Sequence, residues 1–319
     1  MFNKMVIDKE TKLYLDKRIS DNSINHHDLS PIELRKERLT QLKKDNLKGP
    51  DLNDVFELEV GDNKHSKIKL RVYVPFPINK DKNYPVTLFF HGGGFVMGNL
   101  ETHDYPCRCI SKFSENIVIA VDYRLAPEFK FPKALNDAKY ILGNLSKFPL
   151  PFNVDLDKVI VCGDSAGGNL ATVLAINYSY NILPKIKGQI LIYPCVDLTL
   201  SMKSMDIRLD GLVFSGKTMS YFVKHYLENR KDEVNWEVSP LYAPNLKNQP
   251  PTYIFAAGLD PLLDEGIAYK NRLKDNGNIV KYKLYEGQIH GFVTNSKHFP
   301  KGLECIKEIG VAVKNLVRL

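Results

Sequence analysis

Apolar and polar residues alternate in "DVFELEV" (54–60) and "KIKLRVYV" (67–74), the two-residue period of strands with one buried and one wet face. These two runs are expected to pair antiparallel. Six later runs are short and β-rich: "YPVTLFF", "NIVIAVDY", "KVIVCG", "GQILIYP", "PTYIFAAG" and "VKYKLYEG". Most are nearly continuously apolar, which is the pattern of strands covered on both faces. Helix-patterned stretches fall between and after them: "KALNDAKYILGNL", "GNLATVLAINYS", "LLDEGIAYKNRLKDNG" and "LECIKEIGVAVKNLV". The alternation predicts an α/β fold with a mostly parallel central sheet and helices on both faces. Two segments break the rhythm. Residues 1–50 are polar and helix-patterned, and "LSPIELRKERLTQL" opens a helix with Ser30 as N-cap, Pro31 in its first position and Glu33 closing a capping box. Residues 199–235 carry one helix, in "KTMSYFVKHYLEN". Both segments are expected to form a helical cap over one end of the sheet, within a single domain spanning 1–319.

Composition adds little to this picture. The chain is 44% hydrophobic and 25% charged, as in an ordinary soluble protein. Its 44 basic and 37 acidic residues leave a net charge of +7, spread as scattered lysines such as Lys43 and Lys44. That is a solvated face, so no nucleic acid partner is expected. The opening "MFNKMVIDKETK" lacks the apolar stretch of a signal peptide, and no run approaches the ~20 apolar residues of a membrane span. No stable membrane insertion is expected. The five cysteines are odd in number and scattered, and Cys107-x-Cys109 has no partner pair for zinc. The expectation is a reduced cytoplasmic protein with no zinc site at these cysteines; a homodimer is left open.

The chemistry lies at strand ends. "VIVCGDSAGGNLA" places Gly163-Asp164-Ser165-Ala166-Gly167 between a strand and a helix, the setting of a G-x-S-x-G nucleophile elbow. Such a serine needs a base and a carboxylate to orient it, following it in the order acid, then histidine. Late in the chain stand His290, in "QIHGF", and His298, in "SKHFP", where a surface position is expected; His225 falls inside a helix pattern. For the acid, Asp260 directly follows the strand "YIFAAGL", whereas Asp264 and Glu265 lie about a turn along the next helix. Asp260 before Pro261 also reads as a helix cap, and one carboxylate can do both jobs. "FFHGGGFVMG" then supplies bare backbone N–H groups for a tetrahedral oxyanion: Gly92, Gly93 and Gly94, above all the last two, together with Ala166 after the nucleophile. His91 is expected to hold that loop. A Gly93→Ala change is expected to obstruct the oxyanion and leave the fold alone.

With "HGGGF", "DYRLAPE", "GDSAGGN", "SPLYAP", "GLDPLLDEG" and "HGF" in this order, the chain resembles the hormone-sensitive-lipase-like esterases of the α/β-hydrolase fold over about residues 85–292. The resemblance implies carboxylic ester hydrolysis on small substrates without a cofactor. It implies a triad of Ser165, Asp260 and His290, and an oxyanion hole in the glycine loop and Ala166. A deacetylase or amide hydrolase would use the same triad. Plant gibberellin receptors resemble this family but have lost the triad histidine, which stands here as His290.

Overall fold

The computed structural model describes residues 6–61, 67–181 and 184–319, so the opening "MFNKM" lies outside the described residues. Helices α1 (Lys9–Ser20) and α2 (Pro31–Asp45) come first, and Ser30 and Glu33 form the reciprocal capping box at the start of α2. Strands β1 (Asp54–Val60) and β2 (Ile68–Val74) then pair antiparallel, with Leu58 opposite Leu70. Strand β3 (Asn83–Phe90), helix α3 (Asp104–Ser114), strand β4 (Ile117–Asp122) and helix α4 (Lys133–Asn144) follow. Next are β5 (Asn153–Asp164), α5 (Ala166–Ser179), β6 (Gly188–Ile192) and α6 (Gly216–Tyr226). The chain closes with β7 (Thr252–Leu259), α7 (Leu263–Asp275), β8 (Val280–Ile289) and α8 (Pro300–Arg318).

The sheet order is β1-β2-β4-β3-β5-β6-β7-β8. Pairing is antiparallel from β1 through β2 to β4 and parallel everywhere else. Successive residues of the central strands point to opposite faces and feed two cores. Leu88, Phe90, Val159 and Val161 pack on one side with α5, while Phe89, Ile160 and Cys162 pack on the other with α8. The near-continuous apolar runs thus have a physical cause, since both faces are covered.

Helix α3 was not among the predicted elements. Its buried positions Cys107, Ile110, Ser111 and Ser114 fall at i, i+3, i+4 and i+7, a helical stripe packed toward α8. Reading Cys107 and Cys109 only as metal candidates hid that period; both are buried free thiols behaving as small apolar groups. Strand β5 also begins five residues earlier than "KVIVCG" suggested.

Parallel pairing brings several strand ends to one edge of the sheet, where ligands gather in such folds. His91 follows β3, Ser165 follows β5, Asp260 follows β7 and His290 follows β8. The two segments that broke the rhythm meet each other and this edge. His27 Nδ1 lies 3.2 Å from Thr218 Oγ1, and Arg18 Nε donates to Gly211 O at 3.1 Å. Arg35 Nε donates to Val96 O at 2.7 Å, tying α2 to the turn after β3. Among the described residues, no helix is long and apolar enough to cross a membrane.

Helix α5 crosses the end of β3 so closely that a Cβ on Gly167 would overlap the carbonyls of Phe90 and His91. Gly167→Ala should therefore force helix and strand apart, at a cost of about 1–3 kcal/mol or more. Thermal unfolding should show a Tm lowered by several degrees; an unchanged Tm would remove this contact as the reason for the glycine.

Candidate active site

Ser165 ends the turn between β5 and α5 with φ 53° and ψ −117°, a region that a residue bearing a Cβ occupies only under strain. Its backbone is held from the β6 side, because Ser165 N–H donates to Ile192 O at 2.9 Å and Cys195 N–H donates to Ser165 O at 3.1 Å. The hydroxyl is thereby aimed away from the sheet toward His290, whose Nε2 lies 3.0 Å from Ser165 Oγ. The other ring nitrogen, Nδ1, lies 2.7 Å from Asp260 Oδ2. With Nδ1–H donating to the carboxylate, Nε2 is left as an acceptor for the serine proton. Asp260 is 1% exposed, and its second oxygen accepts Leu262 N–H at 2.8 Å; the cap residue of α7 is Leu262 and not Asp260, so the carboxylate orients the histidine and braces the turn before the helix without capping it.

Two aromatic rings fix the imidazole plane. Phe214, from the segment before α6, stacks on His290 with centroids 3.8 Å apart and planes 15° apart, and Tyr193 leans on it at 4.6 Å. The turn after His290 is pinned by Asn295, whose Nδ2 donates to Gly291 O at 2.9 Å. Phe214 was not foreseen, and nothing in the spacing of 199–235 marks it.

The glycine loop is divided in its use. Gly92 N–H donates to Asp164 Oδ1 at 2.8 Å, so its donor is spent. This corrects the expectation that Gly92 shares in oxyanion binding. The N–H groups of Gly93, Gly94 and Ala166 find no acceptor among the described residues. His91 donates Nδ1–H to Gly92 O at 2.8 Å and stacks on Tyr123 at 4.2 Å, while burial pushes its pKa down to about 3 and keeps the ring neutral. Gly93 has φ 118°, and a Cβ there would collide with the Met97 carbonyl. Gly93→Ala therefore disturbs the loop itself, against the expectation that the fold would not feel it.

Asp164 is buried at the centre of this loop. Burial by itself raises its carboxyl, but His103, with Nε2 3.2 Å from Oδ1, and the Gly92 N–H outweigh that and hold it below its usual value of 3.8. The remaining candidates lie elsewhere. Asp264 Oδ2 accepts Ser204 N–H at 2.9 Å, and Glu265 Oε1 accepts the N–H groups of Val196 and Asp197 at 2.7 and 3.1 Å. His298 is half-buried, 3.1 Å from Asp45, and His225 packs on Tyr221. Among the described residues, no group of three or more His, Cys, Asp or Glu side chains is placed to hold a metal ion.

A profile of the alpha/beta hydrolase fold matches residues 87–294. The chain is 34% identical to esterase LipI of Mycobacterium tuberculosis over 89% of this chain and 88% of the relative. The chain belongs to the hormone-sensitive-lipase-like esterases of the α/β-hydrolase fold. An ethyl acetate hydrolase of Pseudomonas putida is 33% identical to this hydrolase over 65% of each chain. The solved esterase of the archaeon Pyrobaculum calidifontis superposes with a TM-score of 0.86 at 33% identity, covering 98% of this chain and 99% of that one.

Asp164→Ala would leave the buried Gly92 N–H without an acceptor, at an expected cost of about 1–3 kcal/mol. Asp164→Asn should recover part of this through its amide oxygen. A carboxyl held below its usual value stabilises the fold above that value and loses the contribution as pH falls through the lowered one. The stability gap between wild type and Asp164→Ala should thus be full at neutral pH and close only below about pH 4. Matching denaturation curves at pH 7 would show that the tether is not needed.

Proposed function

We propose that the protein is a serine carboxylesterase that hydrolyses short- to medium-acyl esters through an acyl-enzyme formed on Ser165. The observation carrying this reading is the unbroken chain from Ser165 Oγ through His290 to Asp260, at 3.0 and 2.7 Å, beside three backbone donors that meet no acceptor among the described residues. Ser165 Oγ attacks the ester carbonyl carbon while His290 Nε2 takes its proton. The C=O electrons move onto oxygen, and the oxyanion is met by the N–H groups of Gly93, Gly94 and Ala166. Each such donor acts on charge that exists only in the transition state, so its effect falls on kcat. Collapse re-forms the carbonyl and expels the alkoxide, which leaves as the alcohol with the proton from His290. Water then repeats the sequence on the acyl-enzyme, with His290 again base and then acid, and releases the carboxylic acid. Asp260 stays ionised throughout and stabilises the imidazolium.

Residues 1–50 and 199–235 are read as cap elements of a single domain. Phe214 supports this, because it carries the second segment onto the face of the His290 ring. Similarity to an ethyl acetate hydrolase supports small acyl groups. The five buried free cysteines are consistent with a reducing cytoplasm.

Ser165→Ala should keep the fold and lower kcat on p-nitrophenyl butyrate by about 10⁴-fold or more. An organophosphate should label Ser165 alone, and mass spectrometry finding the adduct on another residue would refute the assignment. On substrate size, kcat/KM should be higher for butyrate-length esters than for long-chain triglyceride emulsions; the reverse order would reject a short-acyl pocket.

A further inference from the structure

A cavity of about 350 Å³ opens between α2 and the turns that follow β3 and β4. That is within the size range of small-ligand sites. Neither Ser165, Asp260 nor His290 lines it. Three arginines do, and the guanidinium groups of two of them are already committed. Arg35 donates to both oxygens of Glu128 at 2.9 and 2.7 Å, and Arg124 grips Asp137 with Nε 2.9 Å from Oδ2 and Nη2 2.5 Å from Oδ1.

Arg38 differs. Its one hydrogen bond among the described residues runs from Nη1 to Asn295 Oδ1 at 2.8 Å, and no described carboxylate pairs with it. Most of its five N–H donors are therefore unspent. Asp45 and Asp164 reach it only through space, Asp45 being held by His298 and Asp164 by Gly92. Burial holds the guanidinium below its ordinary pKa, and the neighbouring His26 is pushed down to about 3 by burial and by Arg38. A half-buried cation that no described carboxylate meets directly is costly, and the cavity gives a closer counter-charge somewhere to sit.

The rest of the lining defines the anion. Asp122 and Glu128 also face the cavity and would repel a dianion. Leu39, Leu125 and Phe129 offer apolar wall to a short hydrocarbon tail. A planar guanidinium fork matches a carboxylate with two parallel bonds. We propose that Arg38 makes this cavity a second site, separate from Ser165, for short-chain monocarboxylates, the class of acid that ester hydrolysis releases. The source of the ligand rests on the esterase reading, whereas the binding does not. Asn295 joins Arg38 to the Gly291 carbonyl, next to His290, so an occupant drawing on Arg38 acts on the turn that holds the base. The acid product then slows turnover without competing with the ester.

Calorimetric titration of the wild-type protein with sodium butyrate and with butyramide tests the site without turnover, so its outcome is independent of the esterase assignment. Butyrate should bind and the neutral amide should not. Arg38→Gln, which still offers a donor to Asn295, should weaken butyrate binding about 10- to 100-fold. Arg38→Lys, keeping charge but not the fork, should fall between. In initial rates on a p-nitrophenyl ester, added butyrate should lower kcat with KM nearly constant, and Arg38→Gln should lose that effect. Equal affinity of wild type and a folded Arg38→Gln for butyrate overturns the proposal. So does equal binding of butyrate and butyramide by the wild type, which decides the matter even if the variant does not fold. Purely competitive inhibition by butyrate places it at Ser165 and overturns it as well.

Discussion

Where β5 ends, the chain reverses into α5 within a single residue, and Ser165 makes that turn at φ 53°. The turn is tight enough that at the crossing itself strand and helix meet through glycines: a Cβ on Gly163 would overlap Gly167, and one on Gly167 would overlap the Phe90 carbonyl at the end of β3. Everything chemical in the site is measured from this crossing. It points the serine hydroxyl toward His290, leaves the Ala166 N–H without an acceptor among the described residues, and brings the glycine loop after β3 alongside. The strain of the serine conformation is held by two backbone bonds to the β6 end.

Two buried aspartates serve this arrangement in different ways. Asp164 lies inside the elbow and binds the loop backbone through Gly92, so that the neighbouring donors are fixed relative to the serine. Asp260 comes from two strands away and meets the imidazole. Both are shielded from water, which strengthens each bond they make and makes an unmet partner costly. The glycine run is thus less uniform than three identical residues suggest. One N–H secures the loop, and the other two meet no acceptor among the described residues.

The segments outside the α/β rhythm contribute side chains to places the sheet alone cannot reach. Phe214 covers one face of the His290 ring, and Arg38 reaches the turn after His290 through Asn295. Arg35 fastens the same helix to the carbonyls of Val96 and Ala126.

Much was legible in the sequence because it depends on local periods. Two-residue alternation marked β1 and β2, continuous apolar runs marked the covered strands, and Ser30-Pro31-Glu33 marked the start of α2, each a signal confined to a few neighbouring residues. The convergence of Ser165, Asp260 and His290 was readable as well, since each stands directly after a strand and parallel pairing carries strand ends to one edge. Helix α3 was legible in principle, but its stripe is built partly of cysteines and serines. What the tertiary structure alone decided are the partners across the chain: that Gly92 gives its N–H to Asp164, that a Cβ on Gly93 meets Met97, that Phe214 lies on His290, and that Arg38 meets Asn295 and no carboxylate among the described residues. The physical reason is the same for each. Hydrogen bonds, ring contacts and collisions act over a few ångströms in space, and residues tens or hundreds of positions apart are brought within that range only when the sheet and its covering helices have packed.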